Sequence, residues 1–131
     1  MNRKVLFSSA SEEWSTPVDV YAALNTEFRF NFDPCPLGGG IDGTNQLFCV
    51  WRGKRVFCNP PYGHKVRAFL ERALEAEVAV FLIPARTDTR WFHEIVLHYA
   101  AEIRFIKGRL KFSGAKNSAP FPSMIVVFKG E

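Results

Sequence analysis

Apolar residues recur along the chain with two different spacings, and these spacings predict alternating helices and strands. The apolar positions between residues 66 and 74 have helical spacing, which indicates an amphipathic helix. Residues 78–83 are apolar without alternation, which is typical of a strand covered on both faces, as in a parallel sheet. Further helices are predicted around Val20, Leu24 and Phe28, and around Trp91, Phe92, Ile95, Val96 and Tyr99. Further strands are predicted at residues 30–33, 55–58, 103–106 and 124–128.

Strands that alternate with helices in this order are typical of an α/β domain, and we predict a mostly parallel sheet with helices on both faces. Polar residues follow two of the predicted strands. Asp33 ends the strand at residues 30–33, and Asn59 comes directly after residues 55–58. Because ligands bind at the carboxyl ends of the strands in such sheets, we expect Asp33 and Asn59 to lie on the same edge.

The segment before the first predicted helix has the features of a helix start. Thr16 is predicted as the N-cap, Pro17 occupies the first helical position, and Asp19 lies near the positive end of the helix dipole.

Length and composition favour one globular domain. A chain of 131 residues with 47% hydrophobic side chains can bury a substantial core, and we predict a flexible N-terminus at residues 1–12 and a single domain at residues 13–131. Residues 78–84 are the longest apolar run and are too short to span a bilayer. Because no apolar signal-peptide segment follows the first residues, we expect a cytoplasmic protein. The cysteines lack CxxC spacing and are expected to be buried thiols: Cys35, Cys49 and Cys58.

Basic residues exceed acidic residues, with a net charge of +4, and they fall into two clusters. An excess of this size is compatible with a polyanionic partner, but a solvated surface explains it equally well. The clusters consist of Arg52, Lys54 and Arg55, and of Arg104, Lys107, Arg109, Lys111 and Lys116.

The motif Asn59-Pro60-Pro61-Tyr62 carries the clearest chemistry. Consecutive prolines fix the backbone after a strand and leave carbonyl groups outside the sheet ladder. The side chain of Asn59 and the carbonyl of Pro60 together offer two acceptors to one planar NH2 group, and Tyr62 offers a flat face for a ring. The alternative interpretation is a rigid turn with a buried tyrosine.

A glycine pattern and the histidines favour simpler interpretations. Gly38, Gly40 and Gly43 match a dinucleotide-binding fingerprint, but no helical pattern follows them, so a flexible glycine loop is the better interpretation. The spacing of the histidines is poor for a metal site on one helix, and we expect exposed or core-edge side chains: His64, His93 and His98.

The motif Asn59-Pro60-Pro61-Tyr62 resembles the catalytic motif of S-adenosylmethionine-dependent amino-methyltransferases. The chain as a whole resembles the phage-type, Dam-like DNA N6-adenine methyltransferases over residues 13–128. The resemblance rests on collinear segments at residues 13–17, 32–35, 59–63, 82–93, 104–112 and 119–124. It implies a single Rossmann-like methyltransferase domain that binds S-adenosylmethionine and double-stranded DNA. The short interval between Asp33 and Asn59 implies a sheet that is shortened relative to a full methyltransferase.

The resemblance also implies a role for individual residues. Asn59, Pro60, Pro61 and Tyr62 would form the catalytic block. Cofactor-binding roles are implied for Trp14, Thr16, Pro17, Asp33, Pro34 and Cys35, with Asp42 as a candidate for the cofactor ribose. DNA-binding roles are expected for Arg86, Arg90, Arg109, Lys111 and Lys116, with Phe112 or Phe121 covering one face of the target base. The alternative interpretation is that Arg86 and Arg90 belong to a segment that caps a helix. For Phe112 and Phe121 the alternative is packing in the core or against a loop.

The expected reaction transfers a methyl group to N6 of an adenine that is flipped out of DNA, without a metal ion. Other planar NH2 acceptors remain open, namely adenine in RNA or a glutamine side chain in a protein. A catalytically silent DNA-binding relative is a further alternative. We expect a monomer or a homodimer that does not bind membranes.

Overall fold

A four-stranded sheet forms the centre of the molecule. The computed structural model describes residues 14–36, 43–44 and 49–130, and the fold is given for these residues. The strands are β1 (Arg55–Cys58), β2 (Val78–Pro84), β3 (Glu102–Phe105) and β4 (Ser123–Lys129). The helices are α1 (Val18–Phe28), α2 (Val66–Leu70) and α3 (Leu97–Tyr99), with a 3₁₀ turn at Ala73–Glu75 and a π-helical turn at Phe92–Val96.

The strand order is β1-β2-β4-β3, and the sheet is mixed. β1 pairs with β2 in parallel, whereas β4 runs antiparallel to both of its neighbours, β2 and β3. The prediction of a mostly parallel sheet is therefore wrong. The reason is that β4 follows all other strands in the chain but is inserted between β2 and β3 in the opposite direction.

A short extended segment continues the sheet beyond β1. Phe32 forms an isolated parallel bridge with Val56, and the N–H of Phe57 donates to the carbonyl of Phe32 at 3.1 Å. The N–H of Asn31 donates to the carbonyl of Arg55, and the N–H of Arg55 donates back to the side-chain oxygen of Asn31, both at 2.8 Å. The strand predicted at residues 30–33 is thus reduced to one bridge that lies parallel to β1.

The core lies on both faces of the two central strands. Every residue of β2 is buried, and so is every residue of β4 except the last, so neither face of these strands meets solvent. This burial confirms the interpretation of residues 78–83 as a strand covered on both faces. The helical turns contribute Leu24, Phe28, Val66, Phe69, Leu70, Phe92, Ile95 and Val96 to the core. No helix in the described ranges is long and apolar enough to cross a membrane.

Two predicted helices differ in detail from the structure. Pro17 is the N-cap of α1, and no side-chain cap bond is present, so the prediction that Thr16 caps this helix is wrong. The helix predicted over residues 66–74 ends at Leu70 and resumes as the 3₁₀ turn, in which Leu74 is 39% exposed. Arg72 lies between the two segments with its side chain in the interior, which explains the break.

The buried guanidinium of Arg72 links the backbone at Gly43 and Cys49 to the rest of the fold. It donates to the carbonyls of Gly43 and Cys49, at 3.3 and 2.8 Å, and pairs with Glu75 at 2.6 Å. It also lies over the ring of Trp51, whose indole N–H donates to the carbonyl of Gly43 at 2.8 Å. A buried arginine is tolerated because its donors are satisfied in this way.

Replacing this arginine tests its structural role. We expect Arg72→Met to lower the free energy of unfolding by roughly 2–4 kcal/mol, because it leaves buried carbonyls without donors. The matched control is Arg90→Met, since Arg90 also pairs with a glutamate on its own helix but its side chain is 86% exposed. The control should change stability by less than about 0.5 kcal/mol. Urea denaturation followed by circular dichroism measures both, and equal effects would contradict the assignment.

Candidate functional site

A cleft of about 470 Å³ opens at the carboxyl end of β1. Asp33 and Asn59 both line it, which confirms the prediction that they lie on the same edge of the sheet. The cleft is within the size range of small-molecule sites. Its lining consists of Trp14, Ser15, Thr16, Val18, Tyr21, Ala22, Asp33, Cys35, Pro36, Phe57, Asn59, Pro61 and Ser113.

The side-chain amide of Asn59 is held in one orientation. Its Nδ2 donates to the backbone carbonyl of Trp14 and to Oγ1 of Thr16, the latter at 3.0 Å. A carbonyl oxygen can only accept, so the nitrogen must face Trp14, and this fixes the position of the amide oxygen. That oxygen, Oδ1, is buried and has no hydrogen-bond partner among the described residues. The site therefore contains an unused buried acceptor, which is costly in a folded protein unless a ligand donor uses it.

Asp33 supplies the carboxylate of the cleft. The N–H of Cys35 donates to its Oδ1 at 2.8 Å, which fixes the carboxyl group in the turn that follows the Phe32 bridge. Partial desolvation raises the pKa of Asp33 above its ordinary value, although the bond from the Cys35 N–H acts in the opposite direction. Asp33 forms no ion pair with the residues that the structure describes, and a carboxylate of this kind in a partly desolvated cleft is suited to bind a cationic ligand.

Tyr62 is buried and does not present an open ring face. Its hydroxyl donates to the carbonyl of Leu82 at 3.1 Å, and burial raises the pKa of this hydroxyl far above its ordinary value. Its ring makes edge contacts with Phe112 and Phe121, at centroid distances of 6.3 and 5.6 Å. Trp14 contacts the same two phenylalanines, at 5.4 and 5.3 Å. Trp14 therefore lines the cleft and also belongs to an aromatic cluster, which consists of Trp14, Tyr62, Phe112 and Phe121.

The prolines predicted for the site lie next to the cleft, and most of them do not line it. Pro17, Pro34 and Pro60 are buried, each beside a residue of the cleft wall, while Pro61 is part of the wall itself. Their contribution here is to fix the backbone at the ends of the elements that meet the cleft. Asp42, the candidate for the cofactor ribose, lies outside the described residues.

The sequence interpretation missed one wall of the cleft, which α1 and β1 provide. Val18, Tyr21 and Ala22 line the cleft from the first turns of α1, and Tyr21 contacts the ring of Phe57 at 5.1 Å. Val18 is 79% exposed, which is unusual for an apolar residue at this place. Apolar residues three and four positions apart in the first turns of the helix are the signal that could have revealed this wall.

The basic residues differ in whether they are already paired. Arg104 is bound by Glu27 and Glu102, and these hydrogen bonds raise its pKa above the ordinary arginine value. Arg90 pairs with Glu94 and lines a groove of about 480 Å³ that begins at Gly63, next to the proline motif. The remaining predicted DNA contacts are exposed and form no ion pair within the described ranges: Arg86, Arg109, Lys111 and Lys116.

The histidines are exposed, as predicted: His64, His93 and His98. Among residues 14–36, 43–44 and 49–130, no group of three or more His, Cys, Asp or Glu side chains is arranged to hold a metal ion. Cys49 and Cys58 are buried as predicted, whereas Cys35 is only half-buried and lines the cleft.

Comparisons with known proteins agree on one family. A family model described as DNA N-6-adenine-methyltransferase (Dam) matches residues 5–130. The DNA N-6-adenine-methyltransferase of Haemophilus phage HP1 (strain HP1c1) is 26% identical to the chain over 141 residues, which cover 92% of this chain and 80% of the phage protein. No solved structure matches the chain. The matched range includes every residue that lines the cleft.

The hydroxyl of Tyr62 offers a test of the burial described above. We expect Tyr62→Phe to lower the free energy of unfolding by about 1 kcal/mol, because it removes the bond to Leu82 and leaves the ring contacts in place. The matched control is Tyr99→Phe, since Tyr99 is 49% exposed and should tolerate the change. Thermal and urea denaturation of both variants provide the measurement. An unchanged stability of Tyr62→Phe would show that the hydroxyl is not bonded inside the protein.

Proposed function

This chain belongs to the DNA N-6-adenine-methyltransferase family, and we propose that the cleft and the Asn59 motif form its active site. In this proposal the cleft binds S-adenosylmethionine, and Asn59 binds the N6 amino group of an adenine that is flipped out of DNA. The single observation that carries the proposal is the buried Oδ1 of Asn59, which has no protein donor in the described part of the chain.

The residues of the cleft fit the cofactor. S-adenosylmethionine combines an amino-acid end that carries an ammonium group with a flat adenine ring and supplies an activated methyl group on a sulfonium. Asp33 provides the carboxylate for the ammonium group, and partial desolvation in the cleft raises its pKa. Tyr21 and Phe57 provide aromatic surface for the ring. Trp14, Thr16 and Cys35 complete the wall between these ends.

The chemical task at adenine is to make the exocyclic nitrogen nucleophilic, because its lone pair is delocalised into the ring. Oδ1 of Asn59 would accept one N–H of the amino group, and the carbonyl of Pro60 would accept the other. Two acceptors at fixed positions favour a tetrahedral nitrogen whose lone pair points away from the ring. They also stabilise the positive charge that develops on this nitrogen, and fixed acceptors do so without reorganising during the reaction.

The amide of Asn59 is prepared for this task before the substrate arrives. Both hydrogens of Nδ2 are taken up by Trp14 and Thr16, so only the acceptor end of the amide is available. A fixed acceptor loses little conformational freedom when the amino group binds. This arrangement supports an amine as the reacting group and does not require a metal ion or a covalent intermediate.

An adenine within duplex DNA cannot reach such a site, so the base must leave the stack at a cost of a few kcal/mol. The aromatic cluster is placed to offset part of this cost. Tyr62 follows the motif directly, and Phe121, which contacts it, is only half-buried. Because the ring of Tyr62 is covered in this structure, we propose that Phe121 moves to admit the base between the two rings.

In this proposal the exposed cations bind the DNA backbone. Arg86 follows β2, and Arg109, Lys111 and Lys116 belong to the loop between β3 and β4. Both segments leave the sheet at the edge on which the cleft opens, and Ser113 of that loop lines the cleft. Cations without protein partners can contact phosphates without first breaking an ion pair. Arg104, in contrast, serves the fold through Glu27 and Glu102.

We also propose that the sheet is a shortened form of the Rossmann-like methyltransferase sheet. The bridge at Phe32, β1 and β2 run parallel side by side, and the ligand-binding edge lies at their carboxyl ends. This is the arrangement in which α/β proteins bind nucleotides. On the other side of β2, the antiparallel β4 and the edge strand β3 complete the sheet.

Removing the amide of Asn59 tests the catalytic assignment. We expect Asn59→Ala to lower the rate of methyl transfer by at least about 10²-fold, because one fixed acceptor is lost, while the affinity for S-adenosylmethionine stays near that of the wild type. Transfer of labelled methyl groups to plasmid DNA measures the rate, and calorimetry measures the affinity. Asn117→Ala serves as the control, since Asn117 is exposed and does not line the cleft. Rapid methylation by Asn59→Ala would refute the role.

The raised pKa of Asp33 predicts how cofactor binding depends on pH. An ammonium group binds the ionised carboxylate, so binding lowers the pKa of Asp33 and releases a proton. The dissociation constant should therefore rise as the pH falls through this pKa, by up to about tenfold per pH unit, and the rise should begin above the ordinary aspartate value of about 3.9. We expect Asp33→Asn to bind weakly and without this acid dependence. Calorimetry of both proteins across the acid range is the measurement, and parallel pH profiles would contradict the assignment.

A further inference from the structure

We propose that Thr16 is a positioning residue whose hydroxyl, together with the carbonyl of Trp14, holds the amide of Asn59 in the position that catalysis needs. The proposal rests on the function given above, because it concerns the same amide. It differs from a role of Thr16 in cofactor binding alone, since the hydroxyl contacts Asn59 at 3.0 Å.

An asparagine amide has two ends of similar size and opposite hydrogen-bonding character. Rotation by 180° would exchange Oδ1 for Nδ2 and would present N–H groups to the amino group of the substrate, so that two donors face each other. The flipped amide would also place Oδ1 against the carbonyl of Trp14 and against Thr16. The carbonyl of Trp14 cannot donate, so it disfavours the flipped orientation. The hydroxyl of Thr16 accepts the second hydrogen of Nδ2 and so holds in place the amide that the carbonyl of Trp14 orients.

The hydroxyl of Thr16 is available for this role because it has no role in capping the helix. α1 begins at Val18, its N-cap is Pro17, and no side chain caps its first turn. A threonine just before a helix would normally bond to a backbone N–H of the first turn. Here the same hydroxyl reaches Asn59, which is 43 positions away in the sequence.

The segment that carries Thr16 is fixed from its other side by the basic loop between β3 and β4. The N–H of Ser113 donates to the carbonyl of Ser15, and the hydroxyl of Ser113 donates to the carbonyl of Thr16, both at 3.0 Å. Lys111 and Lys116 of this loop are exposed and unpaired among the described residues. Thr16 is therefore held between the loop expected to meet DNA and the amide expected to meet the base.

Two substitutions at Thr16 separate positioning from packing. Thr16→Val keeps the shape and removes the hydroxyl, whereas Thr16→Ser keeps the hydroxyl and removes the methyl group. We expect kcat for DNA adenine methylation to fall by about tenfold or more in Thr16→Val, the effect of one lost hydrogen bond on a transition state, with KM for the cofactor nearly unchanged. Thr16→Ser should restore most of kcat.

A spectroscopic measurement on the free protein provides a readout besides activity. The side-chain NH2 resonances of Asn59, assigned with the Asn59→Ala variant, report on both Nδ2 hydrogen bonds. In Thr16→Val the proton that bonds to Thr16 should move towards the position of an unbonded amide and exchange faster with water, while Thr16→Ser should resemble the wild type. If Thr16→Val does not fold, Thr16→Ala is used in its place.

The outcomes separate this inference from the proposed function. An unchanged kcat in Thr16→Val, or a raised cofactor KM with normal kcat, would overturn the positioning role and leave Thr16 as part of the cofactor wall. An equal loss of kcat in Thr16→Val and Thr16→Ser would overturn it as well, because packing would then explain the effect. Failure of the proposed function would instead show as wild-type protein that does not methylate adenine in DNA.

Discussion

A reciprocal pair of hydrogen bonds between Asn31 and Arg55 holds the geometry on which the whole site depends. The extended segment beside β1 has one bridge, at Phe32, so its position relies on these two bonds and on the bond from the N–H of Phe57 to the carbonyl of Phe32. The side chain of Arg55 reinforces them, because it donates to the carbonyl of Phe28 at the end of α1 and pairs with Glu77 before β2. One residue thus fixes the end of a helix, the bridge and two strands, and Asp33 and Asn59 meet in one cleft as a result.

The two polar side chains of the cleft, Asp33 and Asn59, are held in opposite ways. Within the described residues, Asp33 accepts one backbone hydrogen bond in a partly desolvated place, so its charge is stabilised only weakly. Asn59 is bound firmly at its donor end, so that its acceptor end has a fixed position. In both cases the protein accepts a cost in the free state that a ligand can remove, which is typical of sites built for binding rather than for stability.

Local patterns in the sequence predicted the elements, and long-range contacts determined what the patterns could not show. The bounds of β1 and the full burial of β2 follow from short apolar runs, and the edge shared by Asp33 and Asn59 follows from their places after strands. The insertion of β4 next to β2 depends on which strand occupies a free edge, and no local pattern encodes that choice. Arg104 belongs to the second basic cluster of the sequence, but its carboxylate partner Glu27 is 77 positions away and no local pattern indicates the pair.

The dependence on long-range contacts also explains why the sequence did not predict the partners of the side chains in the site. Tyr62 was expected to present a flat face, and its neighbours Phe112 and Phe121, which come from a distant loop, cover it. Thr16 has the local signature of a helix cap, and its hydroxyl is used by Asn59 instead. In each case the residue type indicated the available chemistry correctly. The partner, which the tertiary fold supplies, decided how that chemistry is used.

The position of β4 between β2 and β3 has a consequence for how the protein folds during its synthesis on the ribosome. β2 carries the most apolar run of the chain, and one of its edges is covered only by β4, which is made last among the described strands. Until residues 123–129 have emerged, that edge is open for pairing with another nascent chain. Such late, long-range closure makes folding slow relative to synthesis and exposes the chain to aggregation. Expression at low temperature or with chaperones should therefore favour soluble protein.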